Sequence, residues 1–107
     1  MIHSYDCKVV EVETVTPSIC VVHLKFIKER MPYQTGNYLA VQTPERRKPY
    51  SINSNPEDEY LKLCVKKVEG GVVSNFMHNL KKGDKIEVWG PYGEKFLLPS
   101  ELNQEFV

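Results

Sequence analysis

The chain has few cysteines, three in 107 residues, and their number is odd. Cys7, Cys20 and Cys64 each stand alone inside a strand-like run. That excludes a disulfide framework and a zinc site, which needs closely paired ligands. The three are expected to be reduced, mostly buried small residues of a cytosolic protein. His3, His23 and His78 share no metal-ligand spacing, so no metal centre is expected. No run approaches the roughly 20 apolar residues needed to span a bilayer. The polar opening Met1-Ile2-His3-Ser4 lacks the form of a signal peptide. Net charge is missing too: 14 basic residues balance 14 acidic ones. With no excess of positive charge and no interleaved exposed aromatics, nothing argues for nucleic acid or an anionic membrane as partner. There is no internal repeat and no low-complexity segment. The length is that of one domain with a single core.

What the chain does have is a dense stretch at residues 46–56, Arg-Arg-Lys-Pro-Tyr-Ser-Ile-Asn-Ser-Asn-Pro. The β-formers Tyr50 and Ile52 predict a strand, and Asn53-Ser54-Asn55-Pro56 its exit turn. Strand parity places Arg46, Lys48 and Tyr50 on one face and Arg47, Pro49 and Ser51 on the other. A cation one strand step from a ring, with a hydroxyl beside it, suits a ligand carrying both a flat aromatic part and a phosphate. On residues alone the stretch equally describes an edge strand guarded against aggregation by Lys, Arg and Pro. Lys66-Lys67 and Lys81-Lys82 add local positive charge, which fits a small anionic ligand better than a polyanion.

Around this stretch the pattern is mainly β. Residues 5–14 and 19–27 read as a hairpin turning at Thr16-Pro17-Ser18. In its second strand Cys20, Val22, Leu24 and Phe26 share one face. Residues 28–35 read as a loop, 36–41 as a third strand, and 60–68 as a fifth, with Leu61, Leu63 and Val65 alternating with Lys62, Cys64 and Lys66. After Gly70-Gly71, the spacing of Val73, Phe76, Met77 and Leu80 predicts a short helix. Lys81 and Lys82 are expected in its last turn, with Gly83 as C-cap and Ser74, Asn75 and His78 on its polar face. The uncovered backbone N–H groups after Gly71, with the Ser74 hydroxyl, make an anion site there. Residues 84–89 predict a sixth strand, and Gly90-Pro91-Tyr92-Gly93 a tight turn. Six short strands with one helix between the fifth and sixth predict an all-β, six-stranded antiparallel Greek-key barrel.

Lys48-Pro49-Tyr50-Ser51 resembles the flavin-binding signature of the ferredoxin–NADP reductase superfamily, Arg-x-Tyr-Ser/Thr, with Lys48 at the arginine position. Gly71-Val72-Val73-Ser74 resembles the family's Gly-x-x-Ser, at the expected distance. Tyr33 with Gly36-Asn37-Tyr38 is similar to its aromatic and Gly-Gln-Tyr elements, Asn37 standing for glutamine. Leu63-Cys64-Val65-Lys66, Gly-Pro-x-Gly at Gly90 to Gly93 and the apolar pair Phe96-Leu97 are similar too. The resemblance implies an N-terminal FAD-binding barrel over residues 1–98. Residues 99–107 would then be a linker and the start of an absent C-terminal nicotinamide-binding domain, its first strand opening at Phe106-Val107.

The resemblance implies electron transfer between NAD(P)H and a protein carrier such as ferredoxin or flavodoxin, through a bound flavin. Tyr50 would stack on the flavin ring and Ser51 would hydrogen-bond the nitrogen that accepts the hydride. Lys48, with Arg46 sharing the role and Pro49 between Lys48 and Tyr50, would meet the phosphate. Gly71, Val72, Val73 and Ser74 would hold the pyrophosphate, and the backbone of Cys64, Val65 and Lys66 would line the ring or ribityl chain. The second anion site favours FAD over FMN. Two other classes stay open: a non-catalytic flavin-binding subunit of a larger complex, and a flavin-free barrel acting as an interaction module.

Overall fold

The structure is a computed structural model, and it describes residues 2–93. Six strands and one helix follow in the order β1 (His3–Thr16), β2 (Ile19–Phe26), β3 (Tyr38–Gln42), β4 (Arg47–Ser51), β5 (Leu61–Lys66), α1 (Val72–His78) and β6 (Lys85–Tyr92). All five strand pairings are antiparallel and give one sheet in the order β4-β3-β6-β1-β2-β5. The last strand is thus inserted between β3 and β1, which is what a Greek-key return requires.

The expected barrel is present as a curled sheet without a complete closing ladder. The end strands β4 and β5 approach through one isolated bridge, Ile52 to Leu63. One further backbone bond, from Asn53 N–H to the Lys62 carbonyl at 2.8 Å, joins them. The physical reason lies partly in β4, which is five residues long. Its central Pro49 has no N–H to donate and suits an edge position. This incompletely zipped seam between β4 and β5 holds the candidate site.

Alternation places the core. Cys7 and Val9 of β1, Cys20, Val22 and Leu24 of β2, Leu39 and Val41 of β3, Leu61, Leu63 and Val65 of β5 and Val88 of β6 are all at most 2 % exposed. Val73, Met77 and Leu80 bring α1 and the residues after it onto the same core, with Phe76 partly buried against it. The loop expected at residues 28–35 contributes two core residues, Met31 and Tyr33, that alternation could not find because they lie in no strand.

Several expected boundaries move. Helix α1 stops at His78, where Asn79 caps it, so Lys81 and Lys82 do not lie in its last turn and Gly83 is not its C-cap. Asn79 satisfies the chain end locally: its side-chain Nδ2 donates to the Asn75 carbonyl at 2.9 Å. Gly83 instead adopts φ +97° and donates to the Val9 carbonyl at 2.8 Å, turning the chain into β6. Gly90-Pro91-Tyr92 is not a turn but the end of β6. A Cβ at Gly90 would sit 3.3 Å from Met31 Sδ and 3.4 Å from Leu39 Cβ, so the strand lies close against the core there and a larger residue would push Met31 aside by a few tenths of an ångström. Of the three thiols, Cys7 and Cys20 are buried while Cys64 is exposed, since it points outward from β5. Residues 94–107, including Phe96-Leu97 and the expected domain junction after residue 98, lie outside the described residues.

Candidate functional site at the seam between β4 and β5

Strand β4 has no fully buried residue; it alternates between exposed and half-buried. Leu39 pairs with Tyr50, and Val41 with Lys48. Because Leu39 and Val41 are fully buried, Lys48 and Tyr50 take the inner side of the curled sheet, at its open end. The Lys48 ammonium lies 5.9 Å from the Tyr50 ring centroid, so the cation and the ring form one surface. Pro49 and Ser51 face outward and are exposed.

Arg46 was expected on the same strand face as Lys48. It lies instead in the turn before β4, where its carbonyl accepts from Thr43 N–H at 2.8 Å and Thr43 Oγ1 at 3.0 Å. It still reaches the site. Arg46, Arg47 and Lys48 line one cleft of about 280 Å³ together with Gly71, Val72 and Val73. Two stretches more than twenty residues apart, each singled out from sequence, thereby face each other across one cavity. Three cations face a helix start that carries no side-chain cap. Free backbone donors at a helix start and cationic side chains both favour an anion.

The helix start depends on its glycines. Gly70 adopts φ +75°, a conformation L side chains rarely take. A Cβ on Gly71 would lie 2.7 Å from Ser74 Oγ and 3.0 Å from the Val68 carbonyl. Ser74 itself departs from expectation. It is fully buried rather than on an open polar face. Its hydroxyl accepts from Val68 N–H at 3.0 Å and donates to the Gly71 carbonyl at 3.5 Å. The reason is packing: the turn folds back over the first helical residues, and the buried Ser74 Oγ takes the Val68 N–H as its partner. Ser74 shapes the cleft from behind.

On the other side of the seam, Val65 is core, while Cys64 and Lys66 point outward. The Val65 carbonyl is hydrogen-bonded to His78 Nε2 at 3.1 Å, which ties α1 to β5. Sequence reasoning missed His78 in this role and also missed Arg47. The Arg47 guanidinium stacks 4.3 Å from the Trp89 ring, and its Nε donates to Gln42 Oε1 at 2.7 Å. The doubled arginine at 46–47 was the available signal, set aside because parity turned Arg47 away.

Two buried polar atoms lack partners among the described residues, Tyr50 Oη and Trp89 Nε1. Burial, and then the neighbouring Cys20, push the Tyr50 phenol up to about 12, so it is a neutral hydroxyl at ordinary pH. An orphaned hydroxyl on a half-buried ring, beside a cation-lined cleft, fits a group with an aromatic face and phosphate oxygens. No helix is long and apolar enough to cross a membrane, and no cluster of metal-binding side chains occurs, among the described residues.

Comparison with known proteins gives the same direction. A protein-family model described as an oxidoreductase FAD-binding domain matches residues 6–96. The phenol hydroxylase P5 protein of Acinetobacter pittii is 30% identical over 105 residues, covering 94% of this chain and 30% of that protein. The chloroplastic leaf isozyme 1 of ferredoxin–NADP reductase from Arabidopsis thaliana is 29% identical over 108 residues, covering 79% of this chain and 30% of that protein. The crystal structure of the Amycolatopsis cytochrome P450 reductase GcoB superposes with a TM-score of 0.77 at 30% identity, over 94% of this chain and 31% of that one. The chain therefore spans less than a third of the length of these relatives.

Proposed function

The chain belongs to the oxidoreductase FAD-binding domain family, whose members include ferredoxin–NADP reductase-like proteins, and from that premise we propose that the seam between β4 and β5 binds FAD. The observation that carries this is the shared cleft, in which Arg46, Arg47 and Lys48 face Gly71, Val72 and Val73 beside Tyr50. In this reading the cations and the backbone N–H groups of the α1 start hold the phosphates, and the Tyr50 ring supports the flat ring system. Ser51, exposed on β4, is available to the ring edge, and the backbone of Cys64, Val65 and Lys66 borders it. Ser74 contributes by fixing the turn. Lysine at position 48 offers a point charge rather than a bidentate fork, and Arg46 and Arg47 supply the forks beside it.

Bound flavin supplies two-electron acceptance and one-electron release, chemistry no side chain here has. The protein's part is to orient the group and to exclude water from its inner side, which the apolar residues Leu39 and Ile52 on either side of Tyr50 do. We assign the whole protein to NAD(P)H-dependent electron transfer toward a carrier such as ferredoxin or flavodoxin. In that assignment residues 1–98 are the flavin unit, and a nicotinamide-binding domain follows from residues 99–107 onward. Three free thiols suit a reducing cytoplasm.

The test is titration of the purified chain with FAD and, separately, FMN, followed by flavin absorbance and fluorescence. Saturable one-to-one FAD binding that is lost in Tyr50→Ala is the expected result. FMN binding as tight as FAD would remove the pyrophosphate role of residues 71–73. A folded chain that binds neither flavin, alone or in its longer gene product, overturns the proposal.

A further inference from the structure

The sheet order places β1 and β6 in the middle, so curling β4 toward β5 puts them on the far side from the seam. On the outer face of that side, Lys8 of β1 pairs with Lys25 of β2 and with Lys85 of β6. Three lysines thus stand side by side in one row across three strands, all exposed. Directly opposed like charges destabilise a sheet. The next row carries two acids and an apolar residue, exposed Asp6, half-buried Glu87 and exposed Ile27. Asp6 pairs with Glu87, and the same register continues to Ile27, whose N–H donates to the Asp6 carbonyl at 3.0 Å. Ile27 is 41% exposed, one of the few large apolar side chains left open. Shallow cavities of about 440 and 170 Å³ flank it, the first lined by Asp6, Lys28, Lys85 and Glu87 and the second by Lys8, Lys25 and Phe26. The ion pair found among the described residues is His23 with Glu13, so no lysine of the first row is within ion-pair distance of Asp6 or Glu87 in the same copy.

We propose that this face is a self-complementary docking surface for a second copy of the chain. Consider a two-fold axis running across the strands between the two rows. It carries each lysine row over the acidic row of the other copy while keeping the strand columns matched. Lys8 then meets Asp6 of the other copy, Lys85 meets its Glu87, and the Lys25 stem covers its Ile27. Every contact occurs twice, as a closed two-fold interface demands. A partner with a single acidic surface would satisfy the lysine row but set its own charge against Asp6 and Glu87. A second copy satisfies both rows and covers the exposed isoleucine, and it leaves the seam on the opposite side free.

The experiment is sedimentation equilibrium on the 107-residue chain over a range of concentrations, at low salt and at about 1 M salt, where screening shortens to about 3 Å. A reversible monomer–dimer equilibrium at low salt that weakens at least tenfold at high salt is expected. Lys8→Glu with Lys85→Glu, and separately Asp6→Lys with Glu87→Lys, should each be monomeric. An equimolar mixture of the two should form a heterodimer, since their rows are then complementary. If either reversal fails to fold by circular dichroism, Lys8→Ser with Lys85→Ser replaces it and should weaken the dimer at least tenfold. A wild-type chain that stays monomeric at low salt overturns the proposal. So does a dimer that survives the charge changes, or folded reversals that fail to associate when mixed.

Discussion

Strands β2 and β4 have comparable alternation but opposite fates. Strand β2 has full ladders on both sides, to β1 and to β5, and its Cys20, Val22 and Leu24 are at most 2 % exposed. Among the described residues, strand β4 has a ladder only to β3, no buried residue of its own, and a tyrosine hydroxyl without a partner. One strand satisfies everything it buries; the other leaves the Tyr50 hydroxyl without a hydrogen-bond partner and its cations without an ion pair among the described residues, beside a cleft. With the proposed flavin site on β4, stability and binding are drawn from different strands of one sheet. Unsatisfied groups cost stability where a strand only packs, and they are retained where a ligand would satisfy them.

The comparison breaks most visibly if substitutions in β2 and β4 have the same consequences. Leu24→Ala should lower unfolding free energy by about 2–5 kcal/mol, read by urea denaturation, with flavin affinity of the remaining folded protein unchanged. Tyr50→Ala should do the reverse. It should weaken FAD binding about a hundredfold, or about 2.7 kcal/mol, with a smaller loss of stability than Leu24→Ala. Equal stability losses would remove the distinction between the strands. Gly71→Ala, which drives a Cβ to 2.7 Å from Ser74 Oγ, should cost about 1–3 kcal/mol of stability and weaken FAD more than FMN in paired fluorescence titrations. Lys48→Ala should loosen FAD about tenfold, or about 1.4 kcal/mol, and Lys48→Arg should tighten it; no change in either dissociation constant would take Lys48 out of the site.

The smallest effect separates the central core strands from β4 by pH. Burial raises the Cys7 thiol in β1 from 9.0 to about 12, and burial with the nearby Cys20 raises Tyr50 in β4 from 10.0 to about 12. Both groups hold their proton more tightly folded than unfolded. Their contribution is therefore complete below the unfolded value and is lost as pH rises toward the folded one. Denaturation midpoints should fall from about pH 9 upward. Cys7→Ala should flatten the early part of that fall, and Tyr50→Phe only the part above about pH 10. At neutral pH, Tyr50→Phe removes an unsatisfied buried hydroxyl, so it should leave the flavin-free protein unchanged or stabilise it by up to about 1 kcal/mol.

Much of this was legible in the residues. Alternation found the inner faces of β2 and β5, and the i, i+3, i+4, i+7 apolar spacing found the face of α1, because both periods are set by backbone geometry alone. The resemblance carried by Lys48-Pro49-Tyr50-Ser51 and Gly71-Val72-Val73-Ser74 agrees with the family to which the chain belongs. What failed were places where a distant contact chose between local options. Ser74 looked like an open cap but is taken by the Val68 N–H. Gly90 to Tyr92 looked like a turn, yet Gly90 packs flat on Met31 and Leu39 and lets β6 run on. Arg47 was turned away by parity, yet it lines the same cleft, while its guanidinium lies over Trp89.

By itself the sequence determined the number and kind of elements, the core side of β2 and β5, and the two short segments able to meet an anion. Those follow from period, turn chemistry and charge, which are local properties. Only the tertiary structure decided that the two segments face one cavity, that the sheet stays partly unzipped beside it, and that the lysines and acids of β1, β2 and β6 fall into separate rows. These depend on strand order and register, which long-range packing sets and no local pattern encodes.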